Sequence, residues 1–447
     1  MVGSEADAVK WHGLHDEQAE GKPAAEATDI AARTAVATID RPGGFYPYAT
    51  QVLDRPHHPL AKPVRRLFLL GLVVFLVVAG VSVLNALTAP GTDSTSARLA
   101  EWARDHNMGD LVVWLEQQQY QHNVPKVGGA PAGGIAVPGG VPRAPSTSPT
   151  TPKSSGRTGG SGAVPGGTPV PAPLTPLALG SALPGEGQWQ TVVANANGQA
   201  AVRVAQIRPD DQHTSYLAGV LWIDPTMVRG QLRPGTMDPG GSWQASSALT
   251  KPEYANVAAA FNAGFRLSKD GSHGGYFSEG HSAYPLQDNA ASLVLRTDGT
   301  ATVGSWNNEV RMDPTVVSVR QNLTMLVDNG KVNPTCLSGG NAQWGSTIGN
   351  RAFVDRSAFG VTADGAEVYV GGPALSVCTL GRILQDAGVV RGMELDINPA
   401  WITGVYYHTR PGGQEPLGYH LYPTQGPSTA HYISPSSRDW YAWFLRD

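Results

Sequence analysis

Gly392-Met393-Glu394-Leu395-Asp396-Ile397-Asn398-Pro399 reads as the end of a strand. Alternation puts Glu394 and Asp396 on one face and Met393, Leu395 and Ile397 on the other. The large apolar residues require burial, and two carboxylates on the opposite face of a buried strand are costly unless paired or used. Pro399 supplies no ladder donor, so pairing stops there and both acids are expected near the strand's carboxyl end. Working backwards, residues 367–370 are strand-like, and Ser376 can cap a helix with Leu380, Ile383, Leu384 and Ala387 on one face. Gly388 ends that helix, and Val389 opens the next strand. A β-α-β unit is therefore expected here.

Outward from this unit, residues 188–447 number about 260, enough for a full core. Apolar runs of strand length occur at residues 216–223, 257–261, 292–295, 316–319 and 324–327. Thr250-Lys251-Pro252-Glu253 has capping-box spacing with Pro in the first turn, so a short helix is expected before residue 257. Asp298-Gly299, Asn329-Gly330 and Asp364-Gly365 are hairpin turn pairs. The expected class is α+β: a mixed, strand-rich domain containing the β-α-β unit.

The rest of the chain is different in kind. The whole has 447 residues, a net charge of -4, and 54 Gly and 35 Pro very unevenly spread, so one compact domain does not account for it. Residues 67–89 carry no charge, enough to cross a hydrocarbon core of about 30 Å. Arg55, Lys62, Arg65 and Arg66 precede this stretch, and only Arg98 and Arg104 follow at similar distance. The expected topology is single-pass in the cell membrane, with a cytoplasmic amino terminus and an extracytoplasmic carboxyl-terminal domain. The distance from the first residue argues against a cleaved signal peptide. Residues 1–66 read as a disordered cytoplasmic tail. Residues 97–120 read as two short amphipathic helices interrupted at Met108-Gly109, and 123–187 as a disordered Pro/Gly/Ser-rich linker. About 60 extended residues at ~3.1 Å each reach on the order of 190 Å, which suits a domain held away from its membrane inside a cell wall.

The two cysteines, Cys336 and Cys378, both fall on the side read as external, where a disulfide is expected. No Cys-x-x-Cys, His-Glu-x-x-His or EF-hand spacing occurs, so neither a metal site nor a cofactor is expected. A near-neutral charge without a basic stripe argues against nucleic acid as a partner.

Four short blocks resemble the phosphodiester glycosidase family. They are Phe261-Asn262-Ala263-Gly264-Phe265, the run 326–331 (Leu-Val-Asp-Asn-Gly-Lys), Arg356-Ser357-Ala358-Phe359-Gly360, and Leu395-Asp396, within a resemblance spanning roughly residues 190–445. The family's Asn-Gly-Gly-Phe has Ala263 at its middle glycine here, and its Leu-Asp-Gly-Gly-Gly-Ser reads Leu395-Asp396-Ile397-Asn398-Pro399-Ala400. The resemblance implies a hydrolase that cleaves a sugar from a phosphodiester, here in a cell-surface polysaccharide, exopolysaccharide or glycoconjugate. The alternative is a non-catalytic polysaccharide-binding module on the same fold.

Such chemistry breaks an anomeric C–O bond through an oxocarbenium-like state, so it needs a carboxylate as nucleophile or base and a cation for the phosphate. Phosphate leaves readily, so general acid help matters less. Asp396 is the first candidate carboxylate, Glu394 its partner and Arg356 the phosphate fork. Asn262 is a candidate donor to a sugar hydroxyl or phosphate, and Arg266 and His273 are candidate ligand contacts from a Gly-rich loop. Each residue has a structural alternative: turn initiation for Asp396, an Arg partnership for Glu394, a surface ion pair for Arg356, a left-handed turn for Asn262, and an ordinary exposed loop for Arg266 and His273. Tyr276, Trp401, Tyr406 and Tyr407 either stack on sugars or pack, and His408 and His420 read as satisfied polar residues.

Overall fold

The computed structural model describes residues 62–121, 124–135, 168–267, 274–347 and 350–446. The expected tail up to residue 61, the centre of the expected linker (136–167) and His273 lie outside them.

Helix α1 (Lys62–Leu87) contains the apolar stretch Val64–Leu87, long and apolar enough to cross a membrane, with most of its large apolar side chains exposed. The Ser94 Oγ accepts from Ala97 N and starts α2 (Thr95–Asp105). Asn107 at positive φ breaks the run before α3 (Gly109–Gln121).

Among the described residues, eighteen strands, numbered in chain order, form three sheets. The largest is ordered β1 (Gln190–Ala194), β2 (Ala200–Ile207), β3 (Ala218–Ile223), β14 (Glu367–Leu375), β13 (Val354–Thr362), β15 (Val389–Glu394), β11 (Met325–Asp328), β12 (Lys331–Val332). A second runs β7 (His281–Tyr284), β6 (Tyr276–Ser278), β10 (Val316–Gln321), β8 (Ala291–Arg296), β9 (Ala301–Ser305). The third runs β17 (Leu417–His420), β16 (Gly404–His408), β5 (Val257–Asn262), β18 (Trp440–Leu445), β4 (Val228–Arg233). The domain is α+β. Each of the three expected turn pairs joins a hairpin, with Gly299, Gly330 and Gly365 all at positive φ, which costs glycine nothing.

The expected β-α-β unit is present and split. β14 and β15 both pair antiparallel with β13, so they run parallel to each other with β13 between them. Helix α5 (Val377–Asp386), capped by Ser376 Oγ on Thr379 N, makes the connection and buries Leu380, Ile383 and Leu384 against one face of the large sheet. Cys336, ahead of the short α4 (Asn341–Trp344), is disulfide-bonded to Cys378 in α5, with the Cα atoms 5.0 Å apart.

The main core lies on the other face of the large sheet, where side chains from all three sheets meet, Met393 and Leu395 among them. Phe261 sits within it, its ring 4.4 Å from both Tyr369 and Trp443 and 5.6 Å from Phe359. Thus β5, β13, β14 and β18 are locked together immediately beneath the ends that carry the polar residues discussed next.

The linker expectation needs correction at both ends. Residues 168–187 lie on the domain: Leu174 and Ala178 are buried, and Glu186 is gripped by Arg208 through Nε and Nη2. Residues 124–135 also touch it, Gly128 N donating to Gln212 O and Lys126 N to the Tyr216 hydroxyl. A few anchoring side chains and backbone hydrogen bonds suffice to order a Pro/Gly-rich strap whose average composition signals a tether.

Candidate active site

The carboxyl end of β15 is held by a serine that composition does not single out. Ser357 on β13 exchanges backbone bonds across the gap, its N–H donating to Asp396 O at 2.8 Å and its carbonyl accepting from Leu395 N at 2.8 Å. Its Oγ accepts from Asp396 N at 3.1 Å and from Asn262 Nδ2 at 3.0 Å. Asn262, the last residue of β5, also donates to Ala263 O, while its Oδ1 accepts from the Tyr369 hydroxyl at 2.8 Å and from Thr403 N at 3.2 Å. Four strands and the segment before β16 are thereby fixed at one point.

Asp396 projects from that point, 4% exposed. Its Oδ1 accepts from the backbone N–H groups of Ile397 at 2.7 Å and Asn398 at 2.9 Å. Burial pushes its pKa up to about 6, against the pull of Arg438 and those two N–H donors; the charge of Glu101 adds to the rise. Asp396 therefore changes charge near neutral pH, the range in which a carboxyl group exchanges protons usefully.

Glu394 and Arg356 are sealed together on the opposite side of the sheet from Met393. Arg356 Nη1 donates to Glu394 Oε1 at 2.5 Å and its Nε to Leu375 O at 3.0 Å, and both side chains are buried. Burial raises the Glu394 pKa, Arg356 opposes it, and Glu394 Oε2 has no hydrogen-bond partner among the described residues. The Arg partnership weighed for Glu394 is thus what the structure contains. Arg356 is no surface ion pair, and its fork is committed to Glu394 and the β14 end. A second sealed pair, Arg320 with Asp439 (Nε to Oδ2, 2.6 Å), lies nearby, and the Asp439 pKa is raised to about 6, chiefly by burial.

Two further arginines, Arg438 and Arg266, lie at the rim beside Asp396. Arg438 precedes β18, lies over the Trp401 ring at 5.0 Å, donates to Asp238 Oδ2 at 3.3 Å and acts on the charge of Asp396. Arg266 follows β5. Both face α2: Glu101 Oε2 is 3.2 Å from Arg266 Nη1, Glu101 Oε1 is 3.9 Å from Arg438 Nη2, and Asp105 Oδ1 contacts Arg266 Nη2. A cavity of about 140 Å³ opens among these four residues, Asp238 and Tyr284.

Of the expected site residues, Asp396, Glu394, Arg356 and Asn262 converge on the β13 to β15 end, while Arg266 lies on the neighbouring rim with Arg438. Tyr276, Trp401, Tyr406 and Tyr407 are buried and pack. His408 Nε2 is 2.9 Å from Val192 O and His420 Nε2 is 2.9 Å from Pro427 O, so both are satisfied. Sequence reading missed Ser357, Tyr369, Arg438 and Glu101. Arg438-Asp439 was findable, as a charged pair abutting the apolar run 440–444; Glu101 carries no such signal. No group of three or more His, Cys, Asp or Glu arranged to hold a metal occurs among the described residues.

Residues 255–396 match the phosphodiester glycosidase family. Among solved structures, the chain resembles the zebrafish N-acetylglucosamine-1-phosphodiester alpha-N-acetylglucosaminidase catalytic domain, auto-inhibited by its pro-peptide. That match has 15% identity over 58% of this chain and 88% of that one, with a TM-score of 0.38. It also resembles a hypothetical protein from Synechocystis, at 14% identity over 56% of this chain and 63% of that one, with a TM-score of 0.33. No curated protein matches.

Proposed function

From a chain that carries a phosphodiester glycosidase family domain, we propose a hydrolase that releases a sugar from a glycosyl phosphodiester of cell-surface polysaccharide or glycoconjugate. The observation that supports it most is Asp396: a carboxylate pinned at a strand end by the Asn262–Ser357 network, titrating near pH 6, with an arginine acting on it. In its ionised form Asp396 attacks the anomeric carbon or activates water as the oxocarbenium-like state develops. The anomeric C–O bond breaks and the phosphate monoester leaves with its electron pair, unprotonated and neutralised by guanidinium, while water ends up bonded to the anomeric carbon as the free sugar. Glu394, which the sequence offers as the partner carboxylate, acts in this reading with Arg356 as a sealed pair that positions β15 beneath Asp396. Arg356 thereby passes the phosphate contact to the arginines on the rim.

The test is release of free sugar from a synthetic glycosyl phosphodiester by the full chain in detergent. A chain that binds polysaccharide and releases nothing overturns the hydrolase reading. It would leave the binding module, which one observation favours: Asp396 Oδ1 already caps the Ile397-Asn398 turn, and Ile397 stands where family members carry glycine.

The same proposal places the amino terminus in the cytoplasm and the domain outside the cell membrane, on the charge bias around α1 and the Cys336–Cys378 bond, which suits an oxidising compartment. Protease added to intact spheroplasts should cut within residues 136–167 and spare residues 1–60; cleavage confined to the latter reverses the topology.

A further inference from the structure

We propose that the rim cavity works at the membrane surface and that its substrate is lipid-linked: a glycosyl phosphodiester whose second ester arm is a long alkyl chain seated in the bilayer. This rests on the glycosidase reading and the single-pass placement above, and it narrows the glycoconjugate to one kind.

The seven residues between α1 and α2 form a closed corner. Arg98 donates from Nη1 to Leu87 O at 2.9 Å and to Ala89 O, from Nη2 to Gly91 O at 2.7 Å, and from Nε to Asp93 O at 3.0 Å. It thereby occupies carbonyls left without helical partners at the end of α1 and fixes the return of the chain. α2 then runs back along the last turns of α1. Trp102 Nε1 donates to Ser82 Oγ at 2.9 Å, and His106 Nε2 lies 3.3 Å from the same oxygen, its ring stacked on that of Trp102 at 4.5 Å. The corner is also fixed to the domain. Thr92 Oγ1 is 3.1 Å from His431 Nδ1, and a Cβ on Gly91 would stand 2.5 Å from Pro435 O, a closeness that glycine permits. A long Pro/Gly-rich segment cannot hold the domain away from the bilayer when the residues ahead of it are bonded to the span and to the domain alike.

Trp102 and His106 make one stripe of α2, and Glu101 and Asp105, which wall the cavity beside Arg266, make the next. The cavity thus lies one helix diameter, about 10–12 Å, from the span. Ser82 precedes the last residue of α1 by five positions, about 8 Å of helix rise. That is the depth at which hydrocarbon gives way to headgroups and at which tryptophan is favoured. On α3, joined to α2 by Arg104 and Glu116 at 2.6 Å, the exposed Leu111, Trp114 and Leu115 share one face at i, i+3 and i+4. Beside a span, the neighbour that covers such a face is lipid.

A phosphodiester joined to a lipid is delivered at this depth, and confinement to the surface raises its effective concentration at the cavity. In its hydrolysis the anomeric C–O bond breaks, and water gives a hydroxyl to the anomeric carbon and a proton to solvent. The phosphate keeps the bond's electron pair and stays in the bilayer as a lipid monoester.

The measurement uses the full chain in phosphatidylcholine liposomes. Both native cysteines are held in the disulfide, so Met237→Cys on the cavity wall and Asp364→Cys on the exposed β13–β14 turn each give a single thiol for a bimane label. The second site lies at the opposite end of β13, whose nine residues span about 30 Å. Phosphatidylcholine spin-labelled on its headgroup should quench the Met237→Cys label, and one at Trp114→Cys, and leave the Asp364→Cys label bright. Equal brightness at residues 237 and 364 overturns the placement. For the ligand, methyl phytanyl phosphate in the liposomes is compared with dimethyl phosphate in solution, by protection of the backbone of residues 237–238, 266–267 and 437–438 from hydrogen exchange. The lipid diester should reach half-maximal protection at a total concentration at least about a hundredfold lower, and Arg266→Gln should weaken that protection. Equal concentrations overturn the lipid-linked substrate, as does protection by phytanol without phosphate. Sugar release plays no part in these readouts. A chain that passes both and hydrolyses nothing loses the glycosidase reading and keeps a lipid-diester site, whereas sugar release with the Met237→Cys label unquenched does the reverse.

Discussion

At one end of the domain two sets of charges differ in where their partners come from. Arg356 and Glu394 sit on adjacent strands of one sheet, sealed from water, and each has nowhere else to go. Arg266 and Arg438 sit on loops at the rim; Asp238 of the domain contacts Arg438, and the other carboxylate partners, Glu101 and Asp105, lie on a helix from the far side of the Pro/Gly-rich segment. Buried pairs are weak sources of net stability yet costly to break singly, whereas partly exposed pairs are worth little and exchange partners readily. The contrast separates residues that hold the site from residues that receive a ligand.

The sharpest way to break this contrast is to remove one sealed partner. Arg356→Ala leaves Glu394 as an uncompensated buried charge and should cost about 3–5 kcal/mol in denaturant unfolding. An equal loss from Arg266→Ala, whose side chain is 28% exposed, would erase the distinction between the two sets.

The disulfide extends the comparison to the scaffold. Cys336 and Cys378 close a loop with a sequence separation of 42, so replacing both with Ser should lower stability by about 4 kcal/mol in the chain-entropy account. Because the bond lies on the α5 side of the sheet, turnover of the folded variant should be unchanged; a large loss of turnover at a temperature where it remains folded would tie α5 to the site.

Asp396→Asn keeps shape and removes charge. Turnover should fall at least about a hundredfold, close to 2.7 kcal/mol at about 1.4 kcal/mol per tenfold, with the unfolding midpoint little changed. Unchanged sugar release in a domain shown to be active would move the chemistry away from this strand end.

The smallest expected effect is on pH dependence. With Asp396 acting as its anion, the rate should fall as pH drops through about 6. Glu101→Gln removes a charge that raises that value, so the acidic limb should move to lower pH; Arg438, Asn398 N–H and Ile397 N–H pull the same way and remain. Asp439 titrates in the same window, but Arg320, Asp238 and Arg438 are the charges that act on it most, so an unmoved limb would implicate Asp439 instead. Stability has the opposite sense. The folded value of Asp396 lies above its ordinary 3.8, so its contribution is fully present below about 3.8 and is lost as pH rises through about 6.

Much of the scaffold was readable from local pattern. The apolar runs of strand length became β3, β5, β8, β10 and β11, the Asp-Gly and Asn-Gly pairs became hairpins, and Ser376 and Gly388 bounded α5. The Thr250 box appeared as a short 3-10 helix, Lys251–Ala255. These features depend on neighbours within a few residues, and neighbours in sequence are neighbours in space.

The site was legible only in part. Alternation put Glu394 and Asp396 on one strand face, but it could not say that Glu394 would meet Arg356 in a sealed pair while Asp396, past the last ladder residue, would turn toward the rim. Ser357, inside the Arg356–Gly360 stretch, carries no local signal of its role, because a serine on a strand is ordinary until two other strands end beside it. Arg438 and Glu101 were beyond reach for the same reason: they come from opposite ends of the chain, and no local period relates them. By itself the sequence determined the strand-rich α+β domain, the apolar span, the hairpins and the carboxylates available. Which arginine was spent on structure and which kept donors free was decided by the tertiary fold, since a charge's role depends on what shares its few ångströms once water has been excluded.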